Sequence, residues 1–222
     1  MIEVKLEDVL LTHALARILD EERETLGDEG IQKAISHVKK YAEETLNADD
    51  QRQALLDAYT LIDQFQDEIE EDQKRKISCR KGCAFCCHLE VQVTDLEKDL
   101  IMDYVKEHGI KYNEKKLEEQ LQYNEQTLPL SDVSRCVFLS NQNTCNIYEV
   151  RPLHCRKYLV LNDPKLCNAK KYPSHSTKVH FHSNTEILTS AILTAAKKMG
   201  SMAEIILDKR IKKGVAMLLP FK

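Results

Sequence analysis

The chain has few of the residues that mark β-rich and membrane proteins. It contains no tryptophan, and only six glycines and five prolines among 222 residues. So few turn-forming residues favour long helices over many short strands. No run approaches the roughly 18 consecutive apolar residues that a membrane helix needs. The composition therefore predicts a mainly α protein without a membrane span.

The first residues also lack a secretory signal. Met1–Asp8 has no basic region followed by an apolar stretch. We therefore expect a soluble cytoplasmic protein, and thiols in that compartment stay reduced. Eight cysteines in such a protein indicate metal binding rather than disulfide bonds.

Charge is distributed unevenly along the chain. Residues 1–76 contain 20 acidic and 10 basic residues, whereas residues 77–222 contain 16 acidic and 22 basic ones. The acidic part would repel phosphates, which argues against a nucleic-acid ligand. The two parts are expected to attract each other electrostatically. The sequence is also compatible with a protein partner.

Hydrophobic periodicity divides the chain into three regions. Residues 1–76 form acidic N-terminal helices, residues 77–172 are cysteine-rich and poorly periodic, and residues 173–222 form C-terminal helices that pack on the rest. The terminal helices are predicted at Leu6–Leu26, Ile31–Leu46, Asp50–Arg75, Asn184–Lys198 and Ser201–Leu219, with a break at Gly27 and Gly30. The expected fold is a helical bundle that encloses an irregular cysteine-rich metal-binding segment.

Regular structure is also predicted inside the cysteine-rich region. Alternation over Glu90–Thr94 indicates a short strand. Thr94 and Glu97 then form a capping box that begins a helix, which is predicted to end near Gly109. Another helix is expected over Asn113–Gln126.

The cysteines are confined to one part of the chain. Free cysteines that serve as small hydrophobic residues should be scattered among the helices, so this clustering points to metal ligands. The predicted ligands are Cys79, Cys83, Cys86, Cys87, Cys136, Cys145, Cys155 and Cys167. One zinc ion or one cubane cluster takes four of them. Either two centres exist, or four cysteines have another role.

Spacing supports convergence at the first cluster. Cys83 and Cys86 are separated by two residues, so that both thiolates can reach one centre. Gly82 gives the chain conformational freedom just before Cys83. The side chains of adjacent Cys86 and Cys87 diverge, which favours different roles for the two.

Cations and histidines near the cysteines are further candidates. Four thiolates on Zn²⁺ or on a cubane of charge +2 leave a net charge near −2, which requires cations or N–H donors nearby. Arg151 and Arg156 are predicted to supply positive charge to the cofactor, and Arg80, Lys81, Arg135 and Lys157 are alternatives. His88 and His154 adjoin cysteines, and His175, His180 and His182 are second choices as ligands.

Two stretches carry a resemblance to a known family. They are Cys79-Arg-Lys-Gly-Cys83-Ala-Phe-Cys86-Cys87, and the run from Cys145-Asn-Ile-Tyr through Arg151-Pro to Cys155-Arg156. Together with Cys136 they resemble the CxxCxxCC family of zinc- or iron-chelating proteins, over about residues 79–168. The chain departs from the family pattern in having three residues between Cys79 and Cys83. The family resemblance implies metal chelation, and a related motif occurs in bacterial flagellin lysine N-methyltransferases, which are iron–sulfur proteins.

Two classes of function remain from the sequence. The first is a cysteine-coordinated metal-binding protein whose cofactor is zinc or an iron–sulfur cluster. The second is an iron–sulfur enzyme with an activity like protein-lysine methyl transfer, for which no catalytic residue is assigned. Cys79, Cys83 and Cys86 also match the spacing of radical S-adenosylmethionine enzymes, but no βα repeat accompanies them. A zinc ribbon is disfavoured, because the second four cysteines contain no Cys-x-x-Cys pair.

Overall fold

The computed structural model describes residues 1–69, 77–80, 82–122, 134–168, 171–172 and 177–208. Helices dominate this part of the chain, which confirms the mainly α prediction. None of its helices combines the length and the apolar character that crossing a lipid bilayer requires.

Three helices form the N-terminal part. They are α1 at His13–Glu21, α2 at Arg23–Asn47 and α3 at Gln51–Asp67. Helix α1 is shorter than the helix predicted at Leu6–Leu26. A 3-10 turn at Leu6–Asp8 precedes it, and Thr12 caps α1 by accepting a hydrogen bond from the Leu15 amide. The break expected at Gly27 is a kink inside α2, where this glycine has φ = +63°. The end of the predicted third helix, residues 70–75, lies outside the described residues.

The middle of the chain begins with a strand and a capped helix, as predicted. Strand β1, Gln92–Thr94, runs into α4 at Asp95–Glu107, and both hydrogen bonds of the Thr94–Glu97 capping box are present. Helix α5 follows at Glu114–Gln122. The end of the helix predicted here, residues 123–126, lies outside the part of the chain that the structure describes.

The cysteine-rich region contains short elements. There are 3-10 turns at Phe85–His88, Tyr148–Val150 and Pro164–Cys167, and a five-residue helix, α6, at Leu153–Lys157. Strand β2 at Leu159–Val160 pairs antiparallel with β3 at Val179–His180.

Two helices follow. Helix α7 spans Ser183–Ala195, and strand β4 at Met199–Ser201 leads into α8 at Met202–Ile206. Strand β4 pairs antiparallel with β1, with Val93 opposite Gly200. The last helix was predicted at Ser201–Leu219. Residues 209–219 of that prediction lie outside the described ranges.

Two hydrophobic clusters share α7. The smaller cluster joins α1 and α2 to α7 through side chains such as Leu15, Val38 and Ala191. The main cluster joins α3, α4, α7 and α8 to the cysteine-rich region, which contributes Phe138, Ile147, Val150 and Leu153. The cysteine-bearing loops are therefore anchored in the main core by their own apolar side chains.

Candidate metal centre

Cys79 lies on an extended segment beside β2. The Ser78 amide donates to the Val160 carbonyl at 2.8 Å, and the Ser78 hydroxyl donates to the Asn162 carbonyl at 2.6 Å. These bonds bring the Val160 amide within 3.4 Å of the Cys79 Sγ, to which it donates. An N–H donor aimed at sulfur stabilises a thiolate, which is the form that binds metal.

The next three cysteines lie on a compact turn. The Cys83 amide donates to the Arg80 carbonyl at 2.9 Å, and Gly82 within this turn has φ = +86°. The 3-10 turn Phe85–His88 follows at once and carries Cys86 and Cys87. The glycine expected from the sequence to permit a tight approach thus occupies a left-handed conformation that other residues adopt only with strain.

Cys136 and Cys145 lie on a hairpin-like loop. An isolated antiparallel bridge joins Leu139 to Cys145, and the Asn146 amide donates to the Phe138 carbonyl at 2.9 Å. Phe138 is fully buried and fixes this loop in the main core. The Cys136 amide donates to the Cys87 carbonyl at 2.7 Å, which ties the second cysteine cluster of the sequence directly to the first.

The remaining cysteines lie on two neighbouring short elements. Cys155 is the middle residue of α6, and Cys167 ends the 3-10 turn Pro164–Cys167. That turn packs against the turn Phe85–His88, which brings Cys167 next to the segment carrying Cys86. All eight cysteines, each within the described ranges, are free.

Electrostatic interactions among the thiols define a first group. Burial raises the pKa of Cys79, and the nearby Cys83 and Cys86 thiols raise it further. Burial raises the pKa of Cys167 to about 11, with contributions from Cys86, Cys79 and Cys83. We call Cys79, Cys83, Cys86 and Cys167 the first thiol group.

A second group forms around the hairpin and α6. Burial raises the pKa of Cys155 well above its ordinary value, and Cys136, Cys86 and Cys145 add to the effect. Burial likewise raises the pKa of Cys136 to about 11, and Cys145 and Cys86 contribute. Cys87 interacts with both Cys136 and Cys155. We call Cys87, Cys136, Cys145 and Cys155 the second thiol group.

Cys86 and Cys87 connect the two groups. The Cys87 thiol hydrogen-bonds Cys86, and this bond lowers the pKa of Cys86 to about 7 and raises that of Cys87. Cys86 also interacts with members of both groups. The adjacent pair therefore lies between the two groups, and Cys86 interacts with Cys136, Cys145 and Cys155 as well as with Cys79 and Cys167.

The thiols are neighbours without being fully converged. Within the described ranges, no three His, Cys, Asp or Glu side chains are arranged so that they could hold one metal ion together. The raised pKa values mean that most of these thiols are protonated near neutral pH, and protonated thiols do not bind metal. Metal binding to either group therefore requires loss of protons and a closer approach of the sulfur atoms.

The two predicted cofactor-neutralising arginines occupy different surroundings. The Arg151 guanidinium lies 3.9 Å from the Tyr148 ring centroid. Burial raises the pKa of Cys145, and the hydrogen bond from the Ile147 amide and the positive charge of Arg151 oppose that rise. Arg156 is buried, pairs with Asp63 and donates to the Glu149 carbonyl at 2.6 Å. Arg151 thus acts on a cysteine, whereas Arg156 binds a carboxylate and a backbone carbonyl.

The candidate histidines are spread around the site. Burial lowers the pKa of His154 to about 4, and its ring hydrogen-bonds the backbone of Gln92. His180 and His182 each have one buried ring nitrogen with no hydrogen-bond partner among the described residues, and the His182 ring stacks on Phe65 with the ring centroids 5.5 Å apart. His88 is the last residue of the 3-10 turn that carries Cys86 and Cys87. His175 lies outside the described residues.

Two buried carboxylates near Cys155 were not predicted from the sequence. Glu97 is 1% exposed and Glu186 is 1% exposed, and both bind residues of α6. Burial raises the pKa of Glu97, and the hydrogen bonds that it accepts oppose that effect. The capping-box pattern identified Glu97 as a helix cap, but sequence gives no signal for its contact with α6, 56 residues away.

A comparison with protein families identifies the cysteine-rich region. Residues 78–182 match the family model CxxCxxCC, described as a "putative zinc- or iron-chelating domain". This match confirms the family resemblance of the two cysteine-bearing stretches of the sequence. Searches of curated proteins and of solved structures found no match.

Proposed function

We propose that residues 78–182, which carry the CxxCxxCC domain, bind zinc or iron through two sets of four cysteines, the first and second thiol groups. The family match supports metal binding itself. The division into two groups is supported by the interactions that link Cys79, Cys83 and Cys167 on one side, and Cys136, Cys145 and Cys155 on the other.

The donor set fits both metals. A structural zinc site is closed by four N or S ligands, and a cubane cluster is held by four thiolates. Each thiol group offers four sulfurs, so neither group needs a ligand from the other. This allocation also assigns the adjacent Cys86 and Cys87 to different centres, because neighbouring side chains diverge.

Backbone donors and charge support the same proposal. Backbone amides donate to sulfur at Cys79, from Val160, and at Cys136 and Cys145, from residues two positions later. Two centres of charge near −2 each would add about −4 to residues 77–222, the part of the chain that has six more basic than acidic residues. When bound, the metal supplies a cross-link among segments that are far apart in the sequence.

Cysteine variants analysed for metal content test the proposal. Cys83→Ser changes the first thiol group and Cys145→Ser changes the second, so each variant, prepared anaerobically with reductant, should retain about half of the wild-type metal. Loss of all metal from both variants would indicate one shared centre and would contradict the two-group proposal.

The same preparations distinguish zinc from iron. Colourless protein with zinc supports a structural or carrier role. Brown protein with iron and acid-labile sulfide supports clusters, and would favour the alternative of an iron–sulfur enzyme resembling protein-lysine methyltransferases.

A further inference from the structure

Helix α6, which carries Cys155, is too short to be stable by itself. A helix of five residues falls well below the roughly 12–15 residues at which isolated helices become even marginally stable. Its position must therefore be set by contacts with other elements. These contacts involve the residues on both sides of Cys155.

Glu97 of α4 holds the beginning of α6. Its Oε1 accepts hydrogen bonds from the Leu153 amide at 2.7 Å and from the Tyr59 hydroxyl at 3.2 Å. Its Oε2 accepts from the Thr94 amide and hydroxyl, both at 2.9 Å. Each carboxylate oxygen thus has two donors, and the side chain is fully buried.

Glu186 of α7 holds the end of α6. The Lys157 ammonium donates to both of its oxygens, at 2.9 and 2.7 Å, and the Thr12 hydroxyl donates to Oε2 at 2.6 Å. This carboxylate therefore joins α6 to α7 and to the cap of α1. Lys157 is mostly buried, so solvent screens the ion pair only weakly.

We infer that Glu97 and Glu186 are positioning residues for the second thiol group, because they fix α6 from both ends and thereby place Cys155. This inference rests on the proposed function. Neither carboxylate serves as a metal ligand, and both act through the backbone or side chains of α6. Metal binding requires the sulfurs to meet within a few tenths of an ångström, so an α6 that is free to shift would bind metal less tightly.

The chain offers a matched control for Glu97. Glu204 of α8 forms the same type of capping box with Ser201, whose amide donates to Glu204 Oε2 at 2.8 Å. Glutamine at position 204 retains an oxygen for this donor. Glutamine at position 97 cannot satisfy all of its donors, because its amide NH₂ must face at least one N–H or O–H donor.

The test is a titration of the full-length reduced protein with Co²⁺, followed by thiolate-to-cobalt charge-transfer absorption. We expect E97Q to weaken binding at one of two centres by about 10- to 100-fold and to reduce the number of thiolates in its spectrum. The other centre, and both centres of E204Q, should match the wild type. Equal binding by E97Q, E204Q and wild type would overturn the inference.

A second variant covers the case in which E97Q fails to fold. E186Q keeps one oxygen for Lys157 and should weaken the same centre, whereas unchanged cobalt binding by folded E186Q would overturn the inference. Wild-type protein that binds neither cobalt nor, after reconstitution with iron and sulfide, an iron–sulfur cluster would instead refute the proposed function. The two failures are therefore distinguishable.

Discussion

Two arginines near the second thiol group hold different partners. Arg151 lies against Tyr148 and acts on Cys145, and its nearest approach to the Asp63 carboxylate is 4.0 Å. Arg156 is 4% exposed and combines its ion pair to Asp63 with a position 4.4 Å from the Tyr59 ring centroid. Arg151 is therefore suited to stabilising the Cys145 thiolate, and Arg156 is suited to stabilising the fold.

Substitution of these arginines should separate metal affinity from stability. We expect Arg151→Gln to lower metal affinity about tenfold, because a positive charge beside Cys145 is lost. Arg156→Gln should lower the free energy of unfolding by about 2 kcal/mol, because half-exposed Asp63 loses its ion-pair partner and the Glu149 carbonyl loses a buried donor. Chelator competition and urea unfolding measure the two effects. Equal effects of both substitutions on affinity would contradict this division of roles.

At the level of single residues, only part of the candidate site could be predicted from the sequence. The eight cysteines and the two arginines could be selected from spacing, because clustering of thiols needs no knowledge of the fold. Arg156 was selected for a cofactor, and its ion pair with Asp63, 93 residues earlier, could not be foreseen. The roles of Glu97 and Glu186 at α6 were missed for the same reason: tertiary contacts give a buried carboxylate its role.

Among the structural elements, long periodic helices were predictable and short ones were not. Helices α2, α3 and α4 follow from apolar spacing and from the Thr94–Glu97 capping box. Helix α6 and the loop from Cys136 to Cys145 have no such pattern, because contacts with the core hold them. Phe138, fully buried on that loop, is one such contact.

The turn before Cys83 provides a test at the level of an element. Gly82 has φ = +86°, and a Cβ added there would meet no atom of the described residues within 4 Å, its chain neighbours aside. An alanine there should cost about 1–2 kcal/mol of backbone strain. If metal binding needs this turn, Gly82→Ala should weaken binding at the first thiol group by about 5- to 30-fold, as measured by chelator competition.

Gly109 supplies the control for this substitution. It follows α4 with φ = +60°, and an added Cβ would have the same open space around it as at Gly82. Gly109→Ala should therefore impose similar strain and lower stability while metal affinity stays unchanged. Identical affinities for the two variants would show that the Gly82 turn is not coupled to metal binding.

At the scale of the whole molecule, the acidic N-terminal helices contact the cysteine-rich region directly. Asp63 of α3 pairs with Arg156 and lies near Arg151, whereas Arg52 of the same helix pairs with Glu107 of α4, so the ion pairs between the two parts have both polarities. The order in which the elements pack was not predictable. Helix α7 lies in both hydrophobic clusters, so α1, α2 and the cysteine-rich region are linked through one buried helix.

Native mass spectrometry of the intact, reduced, anaerobically prepared chain tests metal binding by the two thiol groups in a single experiment. We expect a mass increase that corresponds to two centres, either two zinc ions or two iron–sulfur clusters, which denaturation in acid with a chelator removes. A chain that has the mass of the polypeptide alone after reconstitution with zinc and with iron and sulfide would contradict metal binding. A single centre lost from both Cys83→Ser and Cys145→Ser would contradict the two thiol groups.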